Sequence, residues 1–516
     1  MNKISKSDWT LARVAHLLNR AGFGGSPAEI EELYELGPTG AVDYLVDYQD
    51  TGAGLEPPPF TREPIPDLPN RREMRDADEE QRREMQRKRR RSNQAWINQL
   101  RGWWFERMRT SPRPLEEKLT LFWHGHFATS FEKVKSAHAM YGQNATFRKN
   151  AAGSFEDLVV AVSKDPAMLS YLDGAQSRKK APNENYAREL MELFTLGEGN
   201  YSEKDIAEAA RAFTGWTVNR ETRTFRKAPR NHDGGVKTFM GESGRFDGED
   251  IIKSILDHPA AAEFISIKLW EFFAYSNPEP EIINELAATM RSNEYQLRPV
   301  LKSMFRSQAF YSTRAGRTQI KSPVQWLIGS LKVLESPLPD PGLCTYMAAS
   351  LGQTLFEPPN VKGWEGGSAW ITTANLLHRY NLASVLVEGG DSVKEVFGDR
   401  GLGGREMGRM FMQEPMMDMD NAEIRRTRRQ EMRKRRAEIS RPVMRPDVVL
   451  PKEARASRDT ARKHLQWRLF QSDLRRKDVA AFDQFFADLP GPDAWSNENI
   501  RAVVHAMMST PQYQLT

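Results

Sequence analysis

Apolar residues recur along this chain mostly with the period of a helix. Leu11, Val14, Ala15, Leu17 and Leu18 share one face at about 100° per residue, and Arg20-Ala21-Gly22-Phe23-Gly24-Gly25 ends that helix. Ser26-Pro27-Ala28-Glu29 opens the next. Ser26 is the N-cap, Pro27 takes the first helical position, and Glu29 completes a capping box. Trp96, Ile97, Leu100, Trp103, Trp104 and Met108 give Asn93 to Arg109 a helical spacing, which continues from Leu115 to Trp123. Ser154-Phe155-Glu156-Asp157, Ser202-Glu203-Lys204-Asp205 and Ser322-Pro323 are further N-terminal signatures.

Strand signals are scarce. Thr222-Arg223-Thr224-Phe225-Arg226 and Val236-Lys237-Thr238-Phe239-Met240 alternate across a Gly-containing connection. The expected fold is mainly α, a multi-helical globular body with at most a small β-hairpin near 217–240 and two charged inserts, helical or disordered. One internal echo stands out: Val300 to Tyr311 resembles Val503 to Tyr513, each an apolar helix end, then Ser, then an aromatic. Two copies are too few for a solenoid and point to two related helical halves.

Composition then divides the chain. N-terminal helices are expected over 1–51, a Pro-rich and then basic insert over 52–95, and the main helical body over 96–400. A Met- and Arg-rich insert follows over 401–460, and C-terminal helices over 461–516 pack back on the body. The net charge of +5 is uneven: Arg71 to Arg91 carries +4 and Glu423 to Glu438 carries +5, which leaves the remainder at −4. Both segments read as solvated, mixed-charge helices. Without aromatic stacking residues or a recognisable module beside them, nucleic-acid binding is only a low alternative.

With 39% hydrophobic and 28% charged residues the chain can bury a core. A mean hydropathy of −0.64, with no long apolar run, argues against a membrane span. The single cysteine, Cys344, excludes an intramolecular disulfide and multi-cysteine metal sites. Met1 to Trp9 has basic residues but no apolar stretch, so the chain as written is expected in the cytoplasm.

The densest candidate for chemistry is Asn183 to Gly197. Ala187, Leu190, Met191 and Phe194 form an apolar stripe, and Asn185, Arg188, Glu189 and Glu192 gather on the opposite side. That side is either an exposed face with i,i+4 ion pairs or a polar pocket wall, where paired carboxylates bind a metal or divide acid and base roles. His124 and His126 flank Gly125. On a helix they point about 200° apart, and only an extended or loop conformation lets both reach one ion. His232-Asp233 lies in a glycine-rich turn, read equally as a ligand-facing loop or an Asx-type turn. The Pro- and Gly-rich loop from Leu351 to Trp370 carries Trp364 and Trp370, for which pinning the loop is favoured over stacking on sugars. Phosphate-binding loops, nucleophile elbows, His-Glu-x-x-His and dinucleotide fingerprints are all missing.

In order, Ala15 to Gly24, Phe122-Trp123-His124-Gly125-His126-Phe127, Asn183 to Gly197, Ala210 to Trp216, Lys321-Ser322-Pro323 and Pro358 to Trp364 resemble the bacterial family catalogued as domain of unknown function 1800. The resemblance covers roughly 9 to 390 without the insert around 52 to 95, and 461 to 516 looks like the family's C-terminal helices. It implies a protein of unestablished activity, often exported in relatives and often encoded beside a sulfatase-like partner, which hints at envelope or extracellular polymer work.

The polar residues at positions matching these motifs favour a shared site. Glu189, Glu192, His124, His126 and Asp233 are its catalytic candidates. Arg188, Arg211, Asn183, Asn185, His232, Lys237, Lys321, Asn360, Lys362 and Trp364 are its substrate-binding candidates. His126, Glu189 and Glu192 are the candidate ligands of a divalent metal. The leading expectation is metal-assisted or acid–base hydrolysis of an anionic or polysaccharide envelope substrate. The alternative is a non-catalytic helical binding or scaffold protein working with a partner.

Overall fold

Side chains at the expected positions close the helix ends. Thr10 accepts from the Arg13 amide, Ser26 and Glu29 bond reciprocally, and Ser202 does the same with Asp205. Ser322 accepts from the Gln325 amide. The structure, a computed structural model, describes residues 1–52, 54–63, 76–219, 222–389, 430, 443–472, 474–487 and 495–516. The helices that build the site are α1 (Leu11–Ala21), α2 (Glu79–Thr110), α3 (Pro114–His126), α4 (Glu184–Glu189), α5 (Glu203–Ala212), α6 (Pro259–Phe273), α7 (Pro323–Val333) and α8 (Thr373–Val387). The fold is mainly α.

Two apolar cores organise these helices. The first joins Leu17 of α1 to Leu115, Leu119 and Trp123 of α3 and to Ile265, Leu269 and Phe273 of α6. The second joins Leu100 and Trp104 of α2 to Leu327 and Leu331 of α7, Leu382 and Leu386 of α8, and Val504 and Met507 near the end of the chain. Helix α3 is shared: Leu121 packs into the second core while Phe122 packs into the first. Trp123, Trp270, Trp104 and Trp326 are fully buried, two in each core, and truncating one to Ala would cost about 3–5 kcal/mol.

The echoed segments serve one core each. Leu297–Phe305 and Asn497–Met508 are both α-helices followed by a short 3₁₀ turn, Gln308–Tyr311 and Pro511–Gln514. Each turn lies beside an extended stretch. Ile4 bonds the Arg306 carbonyl, and Lys321 bonds the Gln514 carbonyl.

Two expectations change. The alternating segments near 217–240 do not pair with each other. Instead β1 (Trp216–Val218) pairs with β2 (Phe225–Lys227), and β3 (Lys237–Phe239) pairs with β4 (Glu242–Gly244), so two hairpins replace one. Each closes locally, because a short connection costs less chain entropy than spanning the intervening turn. The basic insert does not end at 95. Helix α2 runs through that position and carries the basic residues 82–91 on its solvated first half. The Met-rich stretch and Glu423 to Glu438 lie outside the described residues, Gln430 apart. Among the described residues no helix is long and apolar enough to cross a membrane.

Candidate functional site: a cationic cavity

A cavity of about 940 Å³ opens where elements of both cores meet. Six cationic side chains line it, Arg20, Lys118, Lys268, Arg314, Lys321 and Lys362, against two carboxylate side chains, Glu271 and Glu365. Arg314 is paired with Glu279, and Arg20 donates to Thr516, the last residue, which also lines the cavity. Lys118 enters from α3 at the turn occupied by Leu115, Leu119 and Phe122, the buried face of that helix. Its ammonium donates to Gln325 Oε1 and lies 5.0 Å from the Phe23 ring and 5.6 Å from the Phe272 ring. Lys321 precedes the N-cap of α7 and is 9% exposed. Its Nζ sits 4.1 Å above the Tyr513 ring, and no hydrogen-bond acceptor reaches it among the described residues.

These two ammoniums are buried without carboxylates. Burial, with Arg20 nearby, lowers Lys118 from 10.5 to about 7. Burial, with Arg317 and Arg379 nearby, does the same to Lys321. Arg20 spends its guanidinium on the backbone oxygens of Phe273, Ala274, Ala315 and Thr516, so it frames the cavity and leaves the binding to the lysines. The N-terminus of α7 faces the same space. Its amides are already taken, Val324 by Gln353 Oε1 and Gln325 by Ser322 Oγ, so it contributes its dipole and no free N–H.

The histidines part company because α3 stays helical through His126. Gly125 is helical, and the loop carrying Gly363 and Trp364 packs on it. The Trp364 ring lies 3.8 Å from where a Cβ on Gly125 would be, and Gly363, at φ +81°, presses its backbone on the Gly125 carbonyl. His124 turns into an aromatic cage of Trp104, Phe356 and Trp364 and accepts the Phe356 amide at 3.0 Å. Burial lowers it to about 3, which keeps the imidazole neutral as the acceptor of that amide. His126 lines the cavity. Its Nε2 donates to the Phe194 carbonyl at 2.9 Å, so the acceptor nitrogen is Nδ1. Burial first, and Lys268 in addition, lower it to about 4.

Helix α4 continues as a π-helix, Leu190–Thr195, which supplies that Phe194 carbonyl. Tyr186, Ala187, Leu190, Met191 and Phe194 are buried as the stripe requires, but the polar side does not act as one wall. Asn183 caps the helix and accepts the Asn185 amide, while their side-chain amides bond the Asp173 and Leu172 carbonyls. Arg188 turns outward to a two-pronged pair with Glu203 at 2.8 Å. Glu189 is half-buried, and burial first, then Glu192, raises its carboxyl pKa against the pull of Lys362 and Arg188. Glu192 accepts from the Tyr201 hydroxyl at 3.4 Å. No three His, Cys, Asp or Glu side chains cluster so as to hold a metal ion among the described residues, so His126, Glu189 and Glu192 are not gathered into a ligand set.

The turn at 232–237 forms a separate network. Arg211 pairs with Asp233 at 2.8 Å and with Glu208 at 2.7 Å, and His232 Nδ1 bonds the Thr214 carbonyl. Buried Lys237 donates to the carbonyls of Asp233, Gly235 and Phe246, which uses all three of its protons. These four side chains are occupied in holding β3 and its turn against α5, and none of them lines the cavity. Asn360 and Lys362 are exposed, with Asn360 Oδ1 accepting the Lys362 amide. Of the expected set, the cavity brings together His126, Lys321, Lys362 and Trp364.

The model of the family described as "Protein of unknown function (DUF1800)" matches residues 16–515. The chain belongs to the DUF1800 family. No curated protein and no solved structure matches it. Within this DUF1800 chain the match spans the second core, the first core apart from Ile4, Trp9, Val14 and Ala15, and every cavity residue named above except Thr516. Lys118 and Gln325 lay outside the motifs, and Arg20 and Gln353 lay inside them, in Ala15 to Gly24 and in the Leu351 to Trp370 loop, without being singled out. A lysine on the apolar stripe Leu115, Leu119, Phe122 was the available signal, since an unpaired cation rarely takes a core position.

Proposed function

We propose that this DUF1800 chain is an enzyme that draws an anionic, saccharide-like substrate into the cavity and hydrolyses it by acid–base chemistry. One observation supports the reading above the rest: two buried, unneutralised lysines share a cavity with a neutral imidazole. The lysines attract the anion, and His126 Nδ1 accepts a proton from the attacking water. Glu189 does not line the cavity, but its raised carboxyl interacts electrostatically with Lys362, which does, and it is the proton donor assigned in this reading. Trp364 offers its ring to a sugar face. A sulfatase-like partner and an exported location belong to the same reading and rest on family resemblance alone.

The test is a panel of uronate-, phosphate- and sulfate-bearing oligosaccharides incubated with the protein and read by mass spectrometry. Cleavage by the wild type, lost in folded His126→Gln, is the expected result. A second reading, a non-catalytic binding or scaffold protein, draws support from the Arg211–Asp233–Lys237 network, whose charges are consumed internally. Binding from the panel without cleavage would select it.

A further inference from the structure

The anionic group of the ligand has a definite seat and a definite charge. Lys118 reaches the cavity from α3 and Lys321 from the approach to α7. The charged groups around Lys118 are Arg20 of α1 and, across the cavity wall, Lys268 and Glu271 of α6, with Phe23, Phe272 and the Gln325 amide against it. Around Lys321 are Arg317, Arg379 and the Tyr513 ring. Arg379 is bound to the Lys321 carbonyl and to Gln514, and Arg317 to Phe470, Ser472 and Gln512. The terminal nitrogens of the arginines are fixed by other partners, which leaves, among the described residues, one unpartnered Nε–H each on Arg20 and Arg379 against the several free protons of the two lysines. Lys118 keeps two donors after bonding Gln325, and Lys321 keeps three.

We infer that Lys118 and Lys321, with the N-terminal dipole of α7 behind them, form a seat for a doubly charged phosphoryl group such as a phosphate monoester. The inference rests on the reading of this cavity as an anion site. Charge decides the class. A bound dianion restores the protons that burial takes from the two lysines near pH 7, and a phosphate monoester, which carries about −1.5 to −2 at neutral pH, matches the resulting pair of ammoniums. A carboxylate or a sulfate ester carries one negative charge and leaves one ammonium buried and unmatched. Geometry agrees, because donors arriving from two separate elements suit three terminal oxygens better than the two of a planar carboxylate.

Phenyl phosphate, phenyl sulfate and benzoate, which share a ring and differ in the anion, are titrated calorimetrically against the full-length protein. Phenyl phosphate is expected to bind at least about tenfold more tightly than the other two. Lys118→Met and Lys321→Met, each checked for native circular dichroism, are expected to lose about tenfold or more, and exposed Lys180→Gln to lose nothing. Inorganic sulfate, whose own charge is constant from about pH 6 to pH 9, is expected to bind more weakly as the lysines lose their protons above about pH 7. Equal affinity for the three phenyl anions, or affinity unchanged in both folded Met variants, overturns the seat. Phosphate binding that depends on both lysines in a protein that cleaves nothing keeps the seat and removes the hydrolase. Cleavage of a substrate without phosphate preference keeps the hydrolase and removes the seat.

Discussion

His124 Nε2 accepts the backbone amide of Phe356 at 3.0 Å, and Phe356 stands at φ +65°, a left-handed conformation that bulky residues rarely adopt. The Phe356 carbonyl in turn accepts from Phe131, and its ring packs on Trp104. A histidine that reads as a candidate ligand therefore holds the start of the loop that carries Trp364 over the cavity.

Replacing His124 by Phe keeps the aromatic volume and leaves the Phe356 amide unpaired, which should cost about 1–3 kcal/mol in urea unfolding. Its pH signature has a definite sign. Burial holds folded His124 at about 3, while the unfolded chain takes up that proton at about 6.5. Stability is fully present above pH 6.5 and declines as pH falls toward 3, by about 1.4 kcal/mol per pH unit for each such histidine. His16 and His126 add in the same direction, so His124→Phe should flatten the acid limb without removing it.

Gly363 and Gly125 touch, yet their substitutions should differ. A Cβ on Gly363 would meet the Gly125 carbonyl at a positive φ, so Gly363→Ala should lower stability by about 1–3 kcal/mol. Gly125→Ala meets only the Trp364 ring at ordinary contact distance and gains helix propensity, so its melting temperature should hold or rise. Thermal unfolding of the pair checks both, and equal losses would count against the close approach.

The buried lysines are held at a cost in stability when the cavity is empty. Folded Lys118 and Lys321 lose their protons near 7, while the unfolded chain keeps them to about 10.5. The unfolded state thus binds more protons between those values, and stability should climb with pH from 7 toward 9, by about 1.4 kcal/mol per unit for each lysine. Below pH 7 the cost is fully present. Lys321→Met should therefore be more stable than wild type at pH 7, on the order of 1–4 kcal/mol, with a flatter alkaline limb in denaturant titrations.

Lys237→Met should behave in the opposite way. It strips the donor from the Asp233, Gly235 and Phe246 carbonyls, and the loss should reach about 2–4 kcal/mol. Phenyl phosphate affinity of the folded fraction should not change, since Lys237 does not line the cavity. A selective loss of affinity would return Lys237 to the site.

Much of the candidate site was hidden for a physical reason. Motif spacing brought His124, Arg211, His232, Asp233 and Lys237 into view as reactive residues, because ionisable side chains look alike in sequence whether their partners are ligands or other groups of the protein. Only the counting of donors against acceptors separates Lys237, which is saturated, from Lys321, which is not. Lys118 was passed over because it sits in an apolar run, the setting that makes its charge consequential.

What the sequence determined by itself is local. Caps at Ser26, Ser202 and Ser322, the stripe of Ala187, Leu190, Met191 and Phe194, and the helical period from Leu11 onward depend on neighbours within a few residues. The mainly α fold and the family follow from them. What only the tertiary structure decided is which charges meet. Lys118 and Gln325 are 207 positions apart, and His124 and Phe356 are 232. A buried charge takes its protonation and its ligand from whatever surrounds it in space, and no periodicity along the chain encodes that surrounding.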